Sequence, residues 1–419
     1  METSKKIIVA HPMQQHSYYT ATALNNEGML FAYVTTVYYN EKKFVYRLLK
    51  KFIGEDNVKR MCAKTITDSS IKVVQFCELT GLFYLLLLRI DRKKRLLPLV
   101  WKNLCRRFGK KLYKYAKKHG ADAVFMYDTT AKTCFEKIKK SGIKTKCFID
   151  STSIPQADIC AIIEAEQVKK YNFQHSLKMR LKSAKKNLKA NSKELELADV
   201  VFTGSTCCAQ LVKNACGEDK SVAVVPYGVN VSAFTKKDYP EQAPEVVKFL
   251  FVGGVEATKG SYYVLEAFRS LDRTDAKLIC VGDLGYAKDE LVKYKNVEFK
   301  GFVYSGDMPS IYKQADVYII PSLYEGFSRS LMEAMSSGLP AIATTMSGAV
   351  DCIEDGQSGF WINSTDIDGL KEKIIYFLEN KHQIKVMGEK ASGQVSKFTW
   401  ENYEKQLALK IKEQLGNEA

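Results

Sequence analysis

Two glutamates eight residues apart, Glu325 and Glu333, are the side chains of this chain best suited to chemistry. They lie in Pro321–Pro340, PSLYEGFSRSLMEAMSSGLP, between the apolar strand patterns VYIIPS and AIATT. The pattern predicts Glu325 in a turn and Glu333 inside a helix over residues 328–337, with Gly338 as its C-cap. A helix N-terminus that follows a parallel strand suits a phosphate. Two carboxylates placed in this way suit the two ends of a long ligand such as a nucleotide sugar.

This segment resembles the donor-site signature of the family 4 glycosyltransferases, which are retaining enzymes of the GT-B fold. The resemblance implies that Glu333 holds the ribose hydroxyls and that Glu325 lies near the transferred sugar. It also implies that the backbone after the Gly-Phe pair holds the diphosphate. The residues of this phosphate-binding stretch are Gly326, Phe327, Ser328, Arg329, Ser330 and Leu331.

The preceding sequence resembles the rest of the family's donor domain. Phe249–Phe268 is similar to its first strand, loop and helix, with Gly253 and Gly254 in the loop and Lys259 at the position of the phosphate-binding lysine. LICVGDLG, with Gly282, is similar to the next strand and glycine turn. NVEFKGFV is similar to the strand after which the backbone faces the base. The resemblance therefore adds Phe302 and Val303 to the predicted donor site.

One position departs from the family pattern. An arginine usually follows the first glycine of the loop, and this chain has Gly254 there. A departing nucleoside diphosphate needs cationic stabilisation. Arg329 lies beside the predicted helix N-terminus, and its planar fork can chelate phosphate oxygens. We therefore predict that Arg329 compensates for the missing arginine. The alternative is that Arg329 is an exposed helix residue without this role.

The N-terminal half also alternates between strand and helix patterns, which predicts a parallel, doubly wound sheet. The expected fold is thus α/β of the GT-B type, with two Rossmann-like domains facing each other across a cleft. The predicted divisions are an acceptor-binding domain over residues 1–235, a linker over 236–247 and a donor domain over 248–397. The last helix, within 398–419, is expected to cross back to the N-terminal domain.

The loop after the first strand predicts the acceptor site. It contains His11, Gln14, Gln15 and His16, which can hydrogen-bond a sugar or a phosphate. Relatives often place a histidine after the fourth strand, close to the reacting sugar, whereas this chain has Asp128 there. Either His16 takes over that role or Asp128 does different work. A purely loop-ordering role for the two histidines remains an alternative.

Basic residues are concentrated in the N-terminal half. The chain has a net charge of +16, and Lys and Arg exceed Asp and Glu only within residues 1–200. The dense clusters are Arg89–Arg95, Cys105–Lys118 and Lys178–Lys189, and the first follows the apolar run Leu82–Leu88. That run is too short to span a bilayer, but beside basic residues it suits an anionic membrane surface. The alternative is a buried helix followed by a solvated basic face.

Eleven scattered cysteines without a C-x-x-C pair, and a start that leads directly into a strand, predict a reduced cytoplasmic protein. Together with the basic clusters, this predicts a peripheral protein on the cytoplasmic face of the membrane. We expect no cofactor besides the nucleotide-sugar co-substrate and no metal. The D-x-D at Asp366–Asp368 opens a helix pattern and is better explained as an N-cap.

The predicted function is retaining, metal-independent transfer of a sugar, expected to be a hexose, from a nucleoside-diphosphate sugar to a hydroxyl of a saccharide or lipid-linked saccharide. The membrane-facing charge favours, within the family that the chain resembles, an enzyme of bacterial surface-polysaccharide or lipid-linked oligosaccharide biosynthesis. Another GT-B enzyme, such as a nucleotide-sugar epimerase, is the first alternative. A nucleic-acid-binding protein is the second, but no nucleic-acid motif accompanies the basic charge, and we expect no nucleic-acid partner.

Overall fold

The computed structural model describes residues 5–13, 15–44, 46–47, 65–66, 68–91, 95–166, 171–283, 294 and 296–416. Gln14 and the Arg92–Lys94 part of the first basic cluster lie outside these residues. The strands are β1 Ile7–Ala10, β2 Leu30–Thr35, β3 Val73–Gln75, β4 Ala123–Tyr127, β5 Lys146–Ser151, β6 Val200–Thr203, β7 Val222–Val224, β8 Val247–Val252, β9 Ala276–Val281, β10 Val297–Gly301, β11 Val317–Ile320, β12 Ala341–Thr344 and β13 Gly359–Ile362.

Helices alternate with these strands. They are α1 Ser17–Asn26, α2 Glu78–Ile90, α3 Leu97–His119, α4 Lys132–Ser141, α5 Gln156–Ala165, α6 Tyr171–Leu197, α7 Thr206–Cys216, α8 Ser261–Ser270, α9 Met308–Lys313, α10 Arg329–Ser336, α11 Ala349–Cys352, α12 Ile367–Glu379, α13 His382–Val395 and α14 Trp400–Leu415. The predicted N-cap at Asp366 is confirmed, since its carboxylate accepts the amide hydrogen of Gly369 over 2.8 Å.

The strands form two sheets. The first has the order β3-β2-β1-β4-β5-β6-β7 and the second has the order β10-β9-β8-β11-β12-β13. The strand pairs with known register are parallel in both sheets. Strands such as IIVA in β1 are buried along their whole length because helices cover both faces of such a sheet. The prediction of two doubly wound, Rossmann-like sheets is confirmed.

Each sheet has one point where the strand order reverses direction. In the first sheet this point lies between β1 and β4, and in the second it lies between β8 and β11. Ligands of open α/β sheets bind outside the carboxyl ends of the strands at such a point. The loops after these four strands are therefore the places to look for a site.

The chain divides into two compact units that do not follow the chain in simple order. One contains residues 1–150, 193–202 and 404–419, and the other contains residues 151–192 and 203–403. The domain boundaries expected from the sequence remain predictions. Most of the expected linker is exposed, but Lys237 is buried and its ammonium lies 3.0 Å from the Asp316 carboxylate.

Candidate functional site

The first candidate site lies at the carboxyl ends of β8 and β11. Lys259 ends the short 3-10 turn Ala257–Lys259, and Gly260 follows it with a φ of 74°. A Cβ atom at Gly260 would lie 1.8 Å from the carbonyl oxygen of Pro321, the residue after β11, so only glycine permits this approach. This contact brings the loop after β8 against the loop after β11.

Lys259 and Glu325 form an ion pair where the two loops meet. The Lys259 Nζ atom lies 2.6 Å from Glu325 Oε1, and Ser322 Oγ donates to the same oxygen over 3.0 Å. The Glu325 side chain is mostly buried, whereas that of Lys259 is 41% exposed. The structure thus brings together two residues that the sequence placed in one site from separate motifs.

The ion pair forms part of the wall of a small polar cavity of about 270 Å³. Its other lining residues are Thr152, Ser153, Arg180, Thr258, Tyr324 and Gly326. A cavity of this size with charged and hydroxyl groups suits a phosphate group or a sugar ring better than an apolar ligand.

Gly326 lies where the backbone has no room for a side chain. A Cβ atom there would lie 2.0 Å from the carbonyl oxygen of Thr152, and Ser205 Oγ donates to the Gly326 carbonyl over 2.6 Å. The next side chain, Phe327, is buried and makes ring contacts with Tyr227 and Phe398. Packing therefore fixes the backbone that leads into α10. The Phe327 ring is used in this packing, so the backbone of Phe327, and not its ring, is the part able to contact a ligand.

The N-terminus of α10 is held by hydroxyl groups. Ser328 is the N-cap, and its Oγ accepts the amide hydrogen of Leu331 over 3.4 Å. Ser330 Oγ accepts a hydrogen bond of 2.8 Å from the buried Tyr318 hydroxyl. Arg329, the first residue of α10, is exposed. The predicted helix over residues 328–337 agrees with α10 to within a residue at each end.

Glu333 lies on the next turn of α10 and is held by a tyrosine. The Tyr312 hydroxyl donates to Glu333 Oε2 over 2.9 Å and also approaches the Ser330 carbonyl oxygen at 3.3 Å. Burial raises the pKa of the Glu333 carboxyl, while the Tyr312 hydrogen bond and the positive charge of Arg329 act in the opposite direction. The Tyr312 hydrogen bond thus orients this carboxylate. Among the described residues no hydrogen bond reaches its other oxygen, which can accept one from a hydroxyl group.

The predicted glycine turns lie at the neighbouring strand ends. A Cβ atom at Gly282, after β9, would lie 2.0 Å from the carbonyl oxygen of Gly253, so the Gly253–Gly254 loop and the Gly282 turn are in contact. Phe302 follows β10 at the edge of the sheet, with Val303 next to it. Phe302 and Tyr304 are exposed and touch edge to face, with ring centroids 5.2 Å apart.

The second candidate site lies at the carboxyl ends of β1, β4 and β5. His16 Nε2 lies 2.7 Å from Asp150 Oδ2, and both side chains are largely buried. The rings of His11 and His16 each contact the Tyr127 ring edge to face, at 5.3 and 5.2 Å. Gln15 is exposed in the same loop. A carboxylate that orients an imidazole is a common arrangement for a proton-accepting histidine.

The predicted Asp128 lies beside a second buried carboxylate. The Asp128 amide donates to the Asp150 carbonyl over 3.0 Å. Glu194, near the end of α6, accepts three backbone amide hydrogens, from Thr129 at 2.8 Å and from Ala131 and Lys132 at 2.9 Å. Burial raises the pKa of Glu194 to about 7; its three backbone hydrogen bonds lower it and the charge of Asp128 raises it. Glu194 thus holds the turn after Asp128 at the start of α4.

We expect Glu194→Ala to lower the free energy of unfolding by about 3 kcal/mol, because one buried and two partly buried backbone amides lose their charged acceptor. Glu196→Ala is the matched control: it removes an exposed ion pair with Lys193, and such pairs contribute about 1 kcal/mol or less. Urea denaturation of both variants measures the difference. Equal midpoints for the two variants would show that the Glu194 carboxylate does not support this turn.

An apolar surface lies on α2 and at the start of α3. Leu79, Phe83, Leu86 and Ile90 recur at intervals of three and four residues, so they share one face of α2, and each is about half or more exposed. Leu96 and Leu99 are also exposed. We call these six residues the apolar stripe. The alternative of a buried helix is therefore wrong for this face.

Exposed basic residues accompany the apolar stripe. Arg89 and Arg95 are exposed next to Ile90 and Leu96 in the sequence, and α3 continues with exposed lysines and arginines and contains no acidic residue. No described helix has both the length and the apolar character needed to cross a bilayer.

Four residues in these sites were not identified from the sequence: Asp150, Arg180, Tyr312 and Glu194. Asp150 ends a strand pattern, which was a usable signal for the edge of a sheet. The other three lie on helices and contact residues of other elements, and their sequence positions carry no such signal. Among the described residues, no three His, Cys, Asp or Glu side chains are grouped as metal ligands, and the absence of a metal requirement stays a prediction.

Comparison with known proteins relates part of this chain to a known family. Residues 235–394 match the family described as glycosyl transferases group 1. An uncharacterized glycosyltransferase of Methanocaldococcus jannaschii is 31% identical over 202 residues, which are 46% of this chain and 55% of the relative. The UDP-Gal:alpha-D-GlcNAc-diphosphoundecaprenol alpha-1,3-galactosyltransferase of Escherichia coli is 26% identical over 187 residues, or 41% of this chain and 48% of the relative. The chain thus spans about half the length of these curated relatives.

The fold extends beyond the matched segment. Sucrose-phosphate synthase from Thermosynechococcus elongatus is similar over 99% of this chain and 100% of that chain, with a TM-score of 0.63 and 17% identity. Residues 235–394 match the glycosyl transferases group 1 family, and the chain has the GT-B type pair of Rossmann-like sheets. The resemblance to glycosyltransferases is confirmed at this level, and the narrower assignment to family 4 stays a prediction.

Proposed function

We propose that this protein is a retaining glycosyltransferase of family 4 that moves a sugar from a nucleoside-diphosphate sugar to a hydroxyl of a saccharide or lipid-linked saccharide. The Lys259–Glu325 pair is the observation that carries this proposal. Both residues lie within the matched segment 235–394 and line a polar cavity at the carboxyl ends of β8 and β11. Ligands of open α/β sheets bind at this point of the sheet.

In this proposal the nucleotide part of the donor is bound at the ends of β8 to β11. The Glu333 carboxylate accepts hydrogen bonds from the ribose hydroxyls, and the Tyr312 hydroxyl orients this carboxylate. The backbone amides at the start of α10 and the ammonium of Lys259 bind the diphosphate. The glycine turns at Gly253, Gly254 and Gly282, together with Phe302 and Val303, border the base.

The transfer step follows from the charges in the cavity. The bond between the anomeric carbon and the diphosphate oxygen breaks, and Lys259 and the α10 amides stabilise the leaving diphosphate. Glu325 orients the sugar ring and faces the positive charge that develops on it. The acceptor hydroxyl attacks from the same face, and the leaving phosphate takes its proton. The protein's cationic groups supply this stabilisation in place of a metal ion.

We assign acceptor binding to the ends of β1 and β4. His16, oriented by Asp150, and its neighbours His11, Gln14 and Gln15 bind hydroxyl or phosphate groups of the acceptor. The Asp128 amide donates a hydrogen bond to the Asp150 carbonyl oxygen, which places Asp128 beside the His16–Asp150 pair. Asp128 thereby shapes the loop after β4.

The acceptor is proposed to be presented at a membrane surface on the cytoplasmic side. The apolar stripe and the basic residues beside it match the two requirements of an interfacial helix, apolar area and attraction to anionic lipid. The relative from Escherichia coli is named for a diphosphoundecaprenol-linked acceptor, which supports a lipid-linked saccharide and a role in cell-surface glycan biosynthesis.

A thermal-shift panel tests the donor proposal. UDP, GDP, ADP and CMP, and their sugars, are added separately to the protein without metal. We expect one nucleoside diphosphate to raise the melting temperature, because ligand at a hundred times its Kd stabilises the native state by about 2.7 kcal/mol. We also expect Glu333→Gln to weaken binding of that nucleotide about tenfold or more, since a charge-assisted hydrogen bond is lost.

Glu372→Gln serves as the control for this panel, because it makes the same change at an exposed carboxylate on α12. It should keep the full shift. Absence of a shift with every nucleotide would contradict the proposed function. A full shift in Glu333→Gln would instead contradict only the ribose assignment.

A further inference from the structure

The charges that line the cavity are not balanced. Lys259 and Glu325 form a close ion pair, so their charges largely offset each other. Of the remaining lining residues only Arg180 is charged. The guanidinium of Arg180 therefore gives the cavity its net positive charge.

Packing of α6 places Arg180 at this cavity. Phe173, Leu177 and Ala184 are buried in the core around β8 and α8, and the Phe173 ring meets the Tyr262 ring at 5.5 Å. Arg180 lies three residues after Leu177 and so projects from the same side of the helix. The apolar contacts on either side along α6 thus fix where the base of the Arg180 side chain lies.

A hydrogen bond then fixes the direction of the side chain. Arg180 Nε donates to the Tyr324 hydroxyl over 2.8 Å, and Tyr324 directly precedes Glu325. Within the described part of the chain, Arg180 has no carboxylate partner within ion-pair distance. The two terminal nitrogens of its fork are available to an anion, and a guanidinium binds phosphate oxygens in a bidentate way.

We propose that Arg180 is the second cation of the diphosphate site and replaces the arginine that family 4 enzymes have at the position of Gly254. This inference rests on the proposed function. Arg180 lies outside the matched residues 235–394, so the family match does not assign it. Arg329, which the sequence suggested for this role, is not among the residues that line the cavity.

The experiment is calorimetric titration of UDP, GDP and ADP, together with uridine, guanosine and adenosine. For the diphosphate that binds, Arg180→Ala should weaken binding about ten- to a hundredfold, as expected when a charged hydrogen-bond donor is lost. Binding of the matching nucleoside should stay unchanged. Arg180→Lys, which keeps the charge without the fork, should give an intermediate loss. Lys182→Ala removes the same charge from an exposed position on α6 and is the matched control.

A rescue variant separates this role from a structural one. A Cβ atom at Gly254 meets its nearest neighbour at 3.5 Å, so this position accepts a side chain. Gly254→Arg in the Arg180→Ala background should recover at least part of the lost affinity, whereas damage to the packing of α6 would not be repaired there.

Binding of the diphosphate to Arg180→Ala with wild-type affinity would overturn the inference. A loss of affinity for the diphosphate in Arg329→Ala but not in Arg180→Ala would overturn the inference too. If Arg180→Ala does not fold, Arg180→Lys is tested in its place. The inference is then overturned if Arg180→Lys binds the diphosphate with wild-type affinity and adding Gly254→Arg does not increase that affinity. If the wild-type protein binds none of the three diphosphates, the proposed function itself fails and the inference falls with it, which is a different result from the others.

Discussion

Replacing Glu325 by glutamine is expected to slow the release of nucleoside diphosphate from a nucleotide sugar about a hundredfold, the size of effect typical for one electrostatic group in an active site. The amide keeps the shape and the hydrogen bond from Ser322 but loses the negative charge 2.6 Å from the Lys259 ammonium. Without that charge, the positive charge that develops on the sugar ring is not stabilised. Hydrolysis of the nucleotide sugar in water, with the nucleotide chosen by the thermal-shift panel, measures this step without an identified acceptor.

Nucleotide affinity is the second readout for Glu325→Gln, and it should stay within a few-fold of the wild-type value. Loss of the negative charge leaves Lys259 more attractive to the diphosphate, so affinity can rise. Glu389→Gln makes the same change in an exposed ion pair with Lys236 and should hydrolyse the nucleotide sugar normally. A wild-type rate in Glu325→Gln would show that this carboxylate does not face the reacting sugar.

Binding to anionic vesicles should fall at least tenfold when Phe83 and Leu86 are both replaced by glutamate. Both side chains are about half exposed, so the change removes apolar area from the surface and not from the core. Each apolar side chain contributes about 1.5–3 kcal/mol when it is fully buried, and the added negative charges repel anionic lipid. Co-sedimentation with vesicles of phosphatidylcholine and phosphatidylglycerol measures the binding.

Two further observations complete the vesicle experiment. The wild-type protein should be released by high salt, because charges at an exposed surface are screened there. The matched control is Val386→Glu with Leu409→Glu, which places two glutamates at exposed apolar positions on α13 and α14. If the control and the α2 variant bind equally well, the apolar stripe is not the membrane-binding surface.

The sequence predicted the local parts of this structure well. Alternating strand and helix patterns specify two parallel sheets. Each helix returns the chain to the end of the sheet at which the previous strand began, so the next strand runs in the same direction. The helix that carries Glu333 was predicted to within a residue at each end, because Ser328 caps its start and Gly338, with a φ of 84°, stops it. The C-cap itself is Ser337 and not Gly338, which is the next residue. These features depend on neighbours within a few residues, which a sequence shows directly.

The tertiary structure decided which distant side chains meet. Lys259 and Glu325 are 66 residues apart, His16 and Asp150 are 134 apart, and Arg180 and Tyr324 are 144 apart. The first pair was predicted to share a site through motifs, but the partners of His16 and the cavity position of Arg180 were not. Which side chains meet depends on the strand order and on which face of α6 packs against the core.

Exposure of the apolar run on α2 was also settled only by the fold. Leu82–Leu88 is apolar around the whole helix, so its sequence is compatible with a buried helix and with a surface helix. In the structure Leu87 is buried and Phe83 and Leu86 are exposed, because only one side of α2 packs on its own unit. The sequence by itself thus determined the elements and the residues able to do chemistry, and the tertiary structure determined which of them share a site, because contacts between distant elements are set by packing and not by local pattern.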